Sequence, residues 1–126
     1  ETYPIQTMRN AGVPLCFSSD APATSWALPS DPFPALKSAV TRTAWDGTDC
    51  GIQQAVNLET AIQLYTRESA HIAGFSDMGI LKAGFRANFI ILNQDIFSMD
   101  PLDIDRACVT ATYINGKQVY ERTATP

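Results

Sequence analysis

Residues 13–22 read VPLCFSSDAP, an apolar run that ends abruptly in two serines, an aspartate and a proline. The run has no polar alternation, which is typical of a strand covered on both faces in a parallel α/β sheet, and Pro14 is tolerated near the start of such a strand. The carboxyl ends of parallel strands form the floor of the reactive crevice in barrels and doubly wound sheets. The pattern therefore predicts a buried strand over residues 13–18 that presents Asp20 to a ligand.

The rest of the chain predicts helices first and an antiparallel β unit afterwards. Asn115-Gly116 separates two β-rich runs and predicts a hairpin with a type I′ turn, because both residues accept a positive φ. An apolar stripe at helical spacing predicts a helix over 58–73, with Asn57 as its cap and Gly74 as its stop. The remaining predictions are a short helix over 3–11, a Pro-rich loop over 21–34, a helix from Asp31-Pro32 to about 45–47, and a strand over 87–93.

Composition excludes several classes of function. The 126-residue chain is 45% hydrophobic, enough for a packed core, and its net charge of −4 argues against binding to nucleic acid or to an anionic membrane. No apolar stretch approaches the roughly 20 residues of a membrane helix. The three cysteines are widely spaced and odd in number, which favours free thiols over a disulfide framework or a zinc site. We therefore expect a cytoplasmic protein.

Five segments in this order resemble the C-terminal end of metal-dependent amidohydrolases, in the branch that contains N-substituted formamide deformylase. They are AGVPLCFSSDAP, DPFPALKSAVTR, LETAIQLYTRESAHIAGF, MGILKAGFRANFIIL and VTATYINGKQVY. The resemblance implies an α/β fold: the last strand and helices of a (β/α)8 TIM barrel, followed by the C-terminal part of a small β-sandwich with a β-hairpin. It divides the chain into a barrel unit over 1–76, a sandwich unit over 77–122 and a tail over 123–126.

The same resemblance implies a role for Asp20. In the family, an aspartate at the end of the eighth barrel strand binds a divalent metal, zinc in most members, and takes a proton from the metal-bound water. Zinc lowers the pKa of its water to about 7, so that hydroxide forms at neutral pH. A neighbouring carboxylate can then hold the proton and pass it to the leaving nitrogen. Asp20 is thus the candidate catalytic residue and the candidate metal ligand.

Two departures from the family pattern limit what this chain can do. The motif Gly-Lys-x-Ala-Asp reads Gly84-Phe85-Arg86-Ala87-Asn88 here, from which we expect a change in local hydrogen bonding. The family's His-x-His pair and its later Lys and His ligands have no counterpart, and we expect them upstream of Glu1. The chain's one histidine, His71, projects away from the apolar stripe of its helix and is expected to be solvated or paired, not a metal ligand. Zinc sites need three or four donors, so no tightly bound metal and no activity are expected of this chain alone.

Simpler interpretations of the same residues remain open. Asp20 can be a loop aspartate that bonds its own turn, and Ser18 and Ser19 are turn serines, since no GxSxG motif is present. Arg42 can contact a substrate or a helix end, and we favour the structural role. Three apolar residues of the Pro-rich loop can line a substrate pocket or pack against neighbouring loops, namely Trp26, Leu28 and Phe33.

The sequence therefore predicts part of a metal-dependent hydrolase that cleaves the C–N bond of a small-molecule amide or formamide. The alternative is a non-catalytic α+β interaction or regulatory module. Either way, unpaired strand edges recruit other chains, so homo-oligomers are expected.

Overall fold

The computed structural model describes residues 3–20 and 30–123. Those ranges contain four α-helices, two 3₁₀ helices and one three-stranded antiparallel sheet, and none of these helices has the length and apolar character needed to cross a membrane. The α-helices are α1 (Ile5–Asn10), α2 (Phe33–Thr41), α3 (Leu58–Tyr65) and α4 (Arg67–Ile72). The strands are β1 (Phe89–Leu92), β2 (Val109–Ile114) and β3 (Lys117–Glu121), and the 3₁₀ helices span Ile52–Gln54 and Pro101–Arg106.

The core forms where α2 meets α3 and the 3₁₀ helix Pro101–Arg106. Ile104 of that 3₁₀ helix is 1% exposed and belongs to the same buried cluster as Leu36 of α2 and Leu64 of α3. An ion pair of 2.9 Å between Lys37 and Asp105 spans the same contact at the surface. Residues on both sides of position 77 share this cluster, and the predicted division into a barrel unit and a sandwich unit remains a prediction.

The prediction of a two-sided buried strand over residues 13–18 is wrong for the described part of the chain. No β-ladder includes these residues, and the Phe17 N–H donates to the Leu64 carbonyl at a helix end instead of to a strand. A ladder needs a neighbouring strand to take up its backbone groups, and the described residues supply none at this place. From Leu15 to Asp20, half-buried and exposed residues alternate, so only one face of the segment is covered.

The helix predicted over 58–73 is confirmed in position but not in continuity. Thr66, with φ −117° and ψ −80°, breaks it into α3 and α4. The predicted ends are confirmed: the Asn57 side chain accepts the Thr60 N–H at 2.8 Å, and Gly74 takes a φ of +81° after the last turn. The break lies next to the Leu64 carbonyl, which accepts the Phe17 N–H.

Helix α2 begins as predicted and ends earlier than predicted. The Asp31 carboxylate accepts the Phe33 N–H at 3.0 Å, so Asp31 caps the first turn. The helix ends at Thr41 because Arg42 takes a left-handed φ of +51°, well before the predicted end at 45–47. Buried Arg42 then donates through Nη2 to the Cys50 carbonyl at 2.8 Å, which confirms the structural role predicted for it.

The hairpin is confirmed. Asn115 and Gly116 take φ values of +52° and +74°, as a type I′ turn requires, and strands β2 and β3 pair antiparallel on either side of them. The predicted strand over 87–93 is observed as the shorter β1, which pairs antiparallel with β2 to give the order β1-β2-β3. Within the described residues, β1 and β3 are edge strands, and self-association through them stays a prediction.

Asn88, the residue before β1, holds the hairpin turn against the start of that strand. Its Oδ1 accepts the Asn115 N–H at 2.8 Å. Asn88→Ala should therefore lower the free energy of unfolding by about 1 kcal/mol, the usual net value of such a bond. Asn88→Asp keeps the acceptor and should be at least as stable as the original. Urea titration of both variants measures this, and equal stability of the alanine and aspartate variants would contradict the role of the Asn88 oxygen.

Candidate functional site

Asp20 lies at the end of the half-covered segment, on its exposed side. Its backbone takes a φ of +55°, a left-handed conformation that aspartate tolerates better than most residues. The Asp20 N–H donates to Ser18 Oγ at 3.2 Å, so the serine hydroxyl closes the turn. Ser18 thus acts as a turn residue, in agreement with the prediction from sequence.

The Asp20 carboxylate differs from every other aspartate side chain of the chain. Within residues 3–20 and 30–123, no hydrogen bond or ion pair reaches it, whereas the other eight aspartates each have a protein partner. Five of them accept a backbone N–H two residues further on, namely Asp31, Asp46, Asp49, Asp95 and Asp100. Three form ion pairs with a lysine or an arginine, namely Asp77, Asp103 and Asp105.

The sequence explains part of this difference. Residue 22 is proline, which has no N–H, so Asp20 cannot accept the i+2 bond that the other turn aspartates use. The simple interpretation of Asp20 as an aspartate that bonds the N–H two residues ahead is therefore excluded by covalent structure. An exposed carboxylate without a protein partner among the described residues is available to a cation or to a transferable proton.

The segment that leads to Asp20 is fixed at Phe17. The Phe17 N–H donates to the Leu64 carbonyl at 3.0 Å, and the Ser69 hydroxyl lies 3.0 Å from the Phe17 carbonyl and 2.8 Å from the Leu64 carbonyl. The Phe17 ring packs edge-on against Tyr65, with 5.9 Å between centroids. Burial raises the pKa of Tyr65, and the negative charge of Asp31 raises it further, so its hydroxyl stays protonated. Ser69 lies within the helix predicted over 58–73, and no sequence signal indicated this contact with Phe17.

A cavity of about 400 Å³ lies beside this segment, where α1 and α2 approach it. Cys16 and Ser18 of the segment line it, together with Tyr65 and Arg42. Asp20 follows two residues after Ser18, the last segment residue that lines the cavity. Of the loop residues proposed to line a pocket, Trp26 and Leu28 lie outside the described residues. Phe33 is 4% exposed and belongs to the core cluster, which favours packing over pocket lining for this residue.

The donors needed for a metal centre are incomplete in the part of the chain that the structure describes. No group of three His, Cys, Asp or Glu side chains comes together in those residues. His71 is exposed on α4, as predicted for a solvated side chain. The chemistry of Asp20 fits a single ligand position, since a carboxylate oxygen is a common ligand of zinc and of harder divalent cations.

Comparison with protein families gives a match over almost the whole chain. A model described as the amidohydrolase family matches residues 1–120. N-substituted formamide deformylase of Arthrobacter pascens is 31% identical over 122 residues, covering 96% of this chain and 22% of that protein. The putative amidohydrolase YtcJ of Bacillus subtilis is also 31% identical over 122 residues, covering 94% and 22%. The chain thus spans about a fifth of the length of these curated relatives.

Two further similarities extend the comparison. The protein LONG AFTER FAR-RED 3 of Arabidopsis thaliana is 30% identical over 124 residues, covering 95% of this chain and 20% of that protein. Among solved structures, 5-methylcytosine deaminase from Klebsiella pneumoniae liganded with phosphonocytosine matches with a TM-score of 0.63 at 20% identity. That match covers 98% of this chain and 28% of the deaminase chain, and it describes similarity of fold.

Proposed function

The chain belongs to the amidohydrolase family, and from this we propose that it is one part of a hydrolase that cleaves C–N bonds in amides or formamides. The identity to N-substituted formamide deformylase supports this class of substrate. Because the chain spans about a fifth of that relative, the rest of the active site is proposed to come from other parts of the complete enzyme. The (β/α)8 barrel setting and a cytoplasmic location belong to the same proposal.

We propose that Asp20 is the residue through which this chain takes part in the reaction. The observation that supports it is that the Asp20 carboxylate has no protein partner within residues 3–20 and 30–123, whereas the other eight aspartates each have one there. A divalent metal, zinc by preference, would be held by Asp20 together with ligands from elsewhere in the enzyme. When bound, such a metal supplies a Lewis acid and lowers the pKa of water.

The role of Asp20 in the reaction is to carry a proton. One carboxylate oxygen of Asp20 takes the proton that water releases when the water oxygen bonds to the amide carbon. The same oxygen then gives the proton to the nitrogen as the C–N bond breaks. The products are a carboxylic acid and an amine, and Asp20 ends in its original ionised state, so atoms and charge balance.

The experiment is to purify the complete enzyme, measure its metal content and assay release of amine from N-substituted formamides and simple amides. We expect about one or two equivalents of divalent metal, the numbers that metal hydrolases use. Chelation should abolish activity and zinc should restore it. The 126-residue chain assayed alone should release no amine and lose zinc on dialysis. If the complete protein contains no bound metal and hydrolyses none of these substrates, the non-catalytic module is the better interpretation.

A further inference from the structure

The break between α3 and α4 lies at the point where the Asp20 segment is attached. In a continuous α-helix, the Leu64 carbonyl would accept the N–H of residue 68. Here the break at Thr66 leaves that carbonyl to other donors, the Phe17 N–H at 3.0 Å and the Ser69 hydroxyl at 2.8 Å. The break between α3 and α4 therefore coincides with the Leu64 carbonyl that binds the segment at Phe17.

We propose that Ser69 is a positioning residue for Asp20, acting through the backbone of Phe17. This inference rests on the proposed function of Asp20. Ser69 does not touch substrate or metal in this proposal. It fixes the place of the peptide that leads to the reacting carboxylate.

The hydrogen bonds around Ser69 involve both backbone polar groups of Phe17, its N–H and its carbonyl. The Ser69 hydroxyl has one proton and two carbonyl oxygens within reach, that of Phe17 at 3.0 Å and that of Leu64 at 2.8 Å. That proton is shared between the two oxygens, so the hydroxyl donates to the carbonyl of the segment as well as to the carbonyl that already accepts the Phe17 N–H. Phe17 is thus held at its N–H and at its carbonyl, and a helix residue 52 positions away makes the second contact.

The attachment is close enough to Asp20 to set the position of its carboxylate. Asp20 is the third residue after Phe17, which corresponds to at most about 10 Å of extended chain. The Phe17 ring against Tyr65 fixes the side-chain direction, but ring packing tolerates sliding along the chain axis more readily than hydrogen bonds do. Loss of the Ser69 bond should therefore let the segment shift along its length. A misplacement of about 1 Å at a catalytic group can cost about 100-fold in rate.

The control is a second hydroxyl at the same break. Thr66 Oγ1 donates to the Ile62 carbonyl at 2.8 Å, a bond within the helix that does not involve the Asp20 segment. Thr66→Val removes this bond and keeps the shape of the side chain. Ser69→Ala removes a bond of the same type that does reach the segment, so the pair isolates the contact to Phe17.

The test uses the complete enzyme and two kinds of measurement. Ser69→Ala removes the bond to the Phe17 carbonyl and leaves the Phe17 N–H its acceptor, the Leu64 carbonyl. The segment should then open more readily, and amide hydrogen exchange at Phe17 should be about 2- to 10-fold faster, the effect of one hydrogen bond lost from the attachment. The kcat of Ser69→Ala should fall about 10- to 100-fold with KM within about twofold, because positioning acts on the chemical step. Ser69→Thr should restore both values. Thr66→Val should change neither, although its melting temperature should fall by about as much as that of Ser69→Ala.

Each outcome decides between positioning and the proposed function. Unchanged exchange at Phe17 in Ser69→Ala would overturn the positioning role, whatever the activity. Faster exchange with normal kcat would also overturn it if Asp20→Asn is inactive, since the segment then moves without consequence. Faster exchange with normal activity in both variants would contradict the function of Asp20 and leave the attachment intact. If Ser69→Ala does not fold, Ser69→Cys, which keeps a weaker donor, should give a smaller change of the same kind.

Discussion

In the complete enzyme, Asp20→Asn should lower kcat/KM about 10²- to 10⁴-fold, the contribution of a well-placed proton-transfer group. Asparagine has nearly the same shape as aspartate and also tolerates the φ of +55° found at this position, so the turn should persist. What changes is that the side chain can neither accept a proton at neutral pH nor offer a negative charge to a metal. Steady-state assays with metal analysis measure both effects.

A matched control separates this effect from the general loss of a surface charge. Asp46 is also exposed, and its carboxylate accepts the Thr48 N–H at 3.0 Å, an interaction that lowers its pKa. Asp46→Asn should leave kcat/KM within about twofold of the original, the scatter expected when no transition-state contact is lost. If Asp20→Asn behaved like Asp46→Asn, with its metal content unchanged, Asp20 would be a turn residue only. The proposed catalytic role would then be wrong.

Gly79→Ala should lower the free energy of unfolding by about 2–5 kcal/mol. Gly79 takes a φ of +91°, and a methyl group there would lie 2.8 Å from Ala70 Cβ, 2.9 Å from the Thr66 carbonyl and 3.0 Å from Arg67 Cα. Two of these three atoms belong to the backbone at the break between α3 and α4, so they cannot swing aside. A left-handed alanine costs about 1–2 kcal/mol, and overpacking typically costs about 1–3 kcal/mol more.

Gly84 provides the matched control for this prediction. It takes a φ of +86°, but a methyl group there would meet no atom within 4 Å. Gly84→Ala should therefore show only the backbone cost of about 1–2 kcal/mol. Chemical denaturation of the two variants, compared with the unmodified protein, gives the difference. Equal losses for the two variants would show that the break is free to move away from Gly79, against the close packing described above.

Local sequence signals predicted the features that short-range chemistry controls. The turn at Asn115-Gly116, the Asn57 cap and the stop at Gly74 all depend on backbone preferences of one or two residues and their neighbours. They are confirmed because no distant part of the chain has to cooperate. The covalent absence of an N–H at Pro22 is of the same kind, since it limits Asp20 in any fold.

Features that depend on partners distant in sequence were not predictable in this way. The apolar run over residues 13–18 carries a strand pattern, yet a strand forms only where a neighbour accepts its backbone bonds. The apolar pattern over 58–73 has helical spacing throughout, and it does not indicate the break at Thr66. The break coincides with a carbonyl that binds Phe17, a residue 47 positions before Leu64 in the chain.

By itself, the sequence determined the family, the hairpin, the helix ends and the position of the candidate carboxylate in the chain. Only the tertiary structure decided that Asp20, unlike Asp46 or Asp77, has no protein partner among the described residues, and that Ser69 holds the segment before it. The physical reason is that backbone conformation follows from adjacent residues, whereas the pairing of a polar group follows from which distant atoms come within about 3 Å of it.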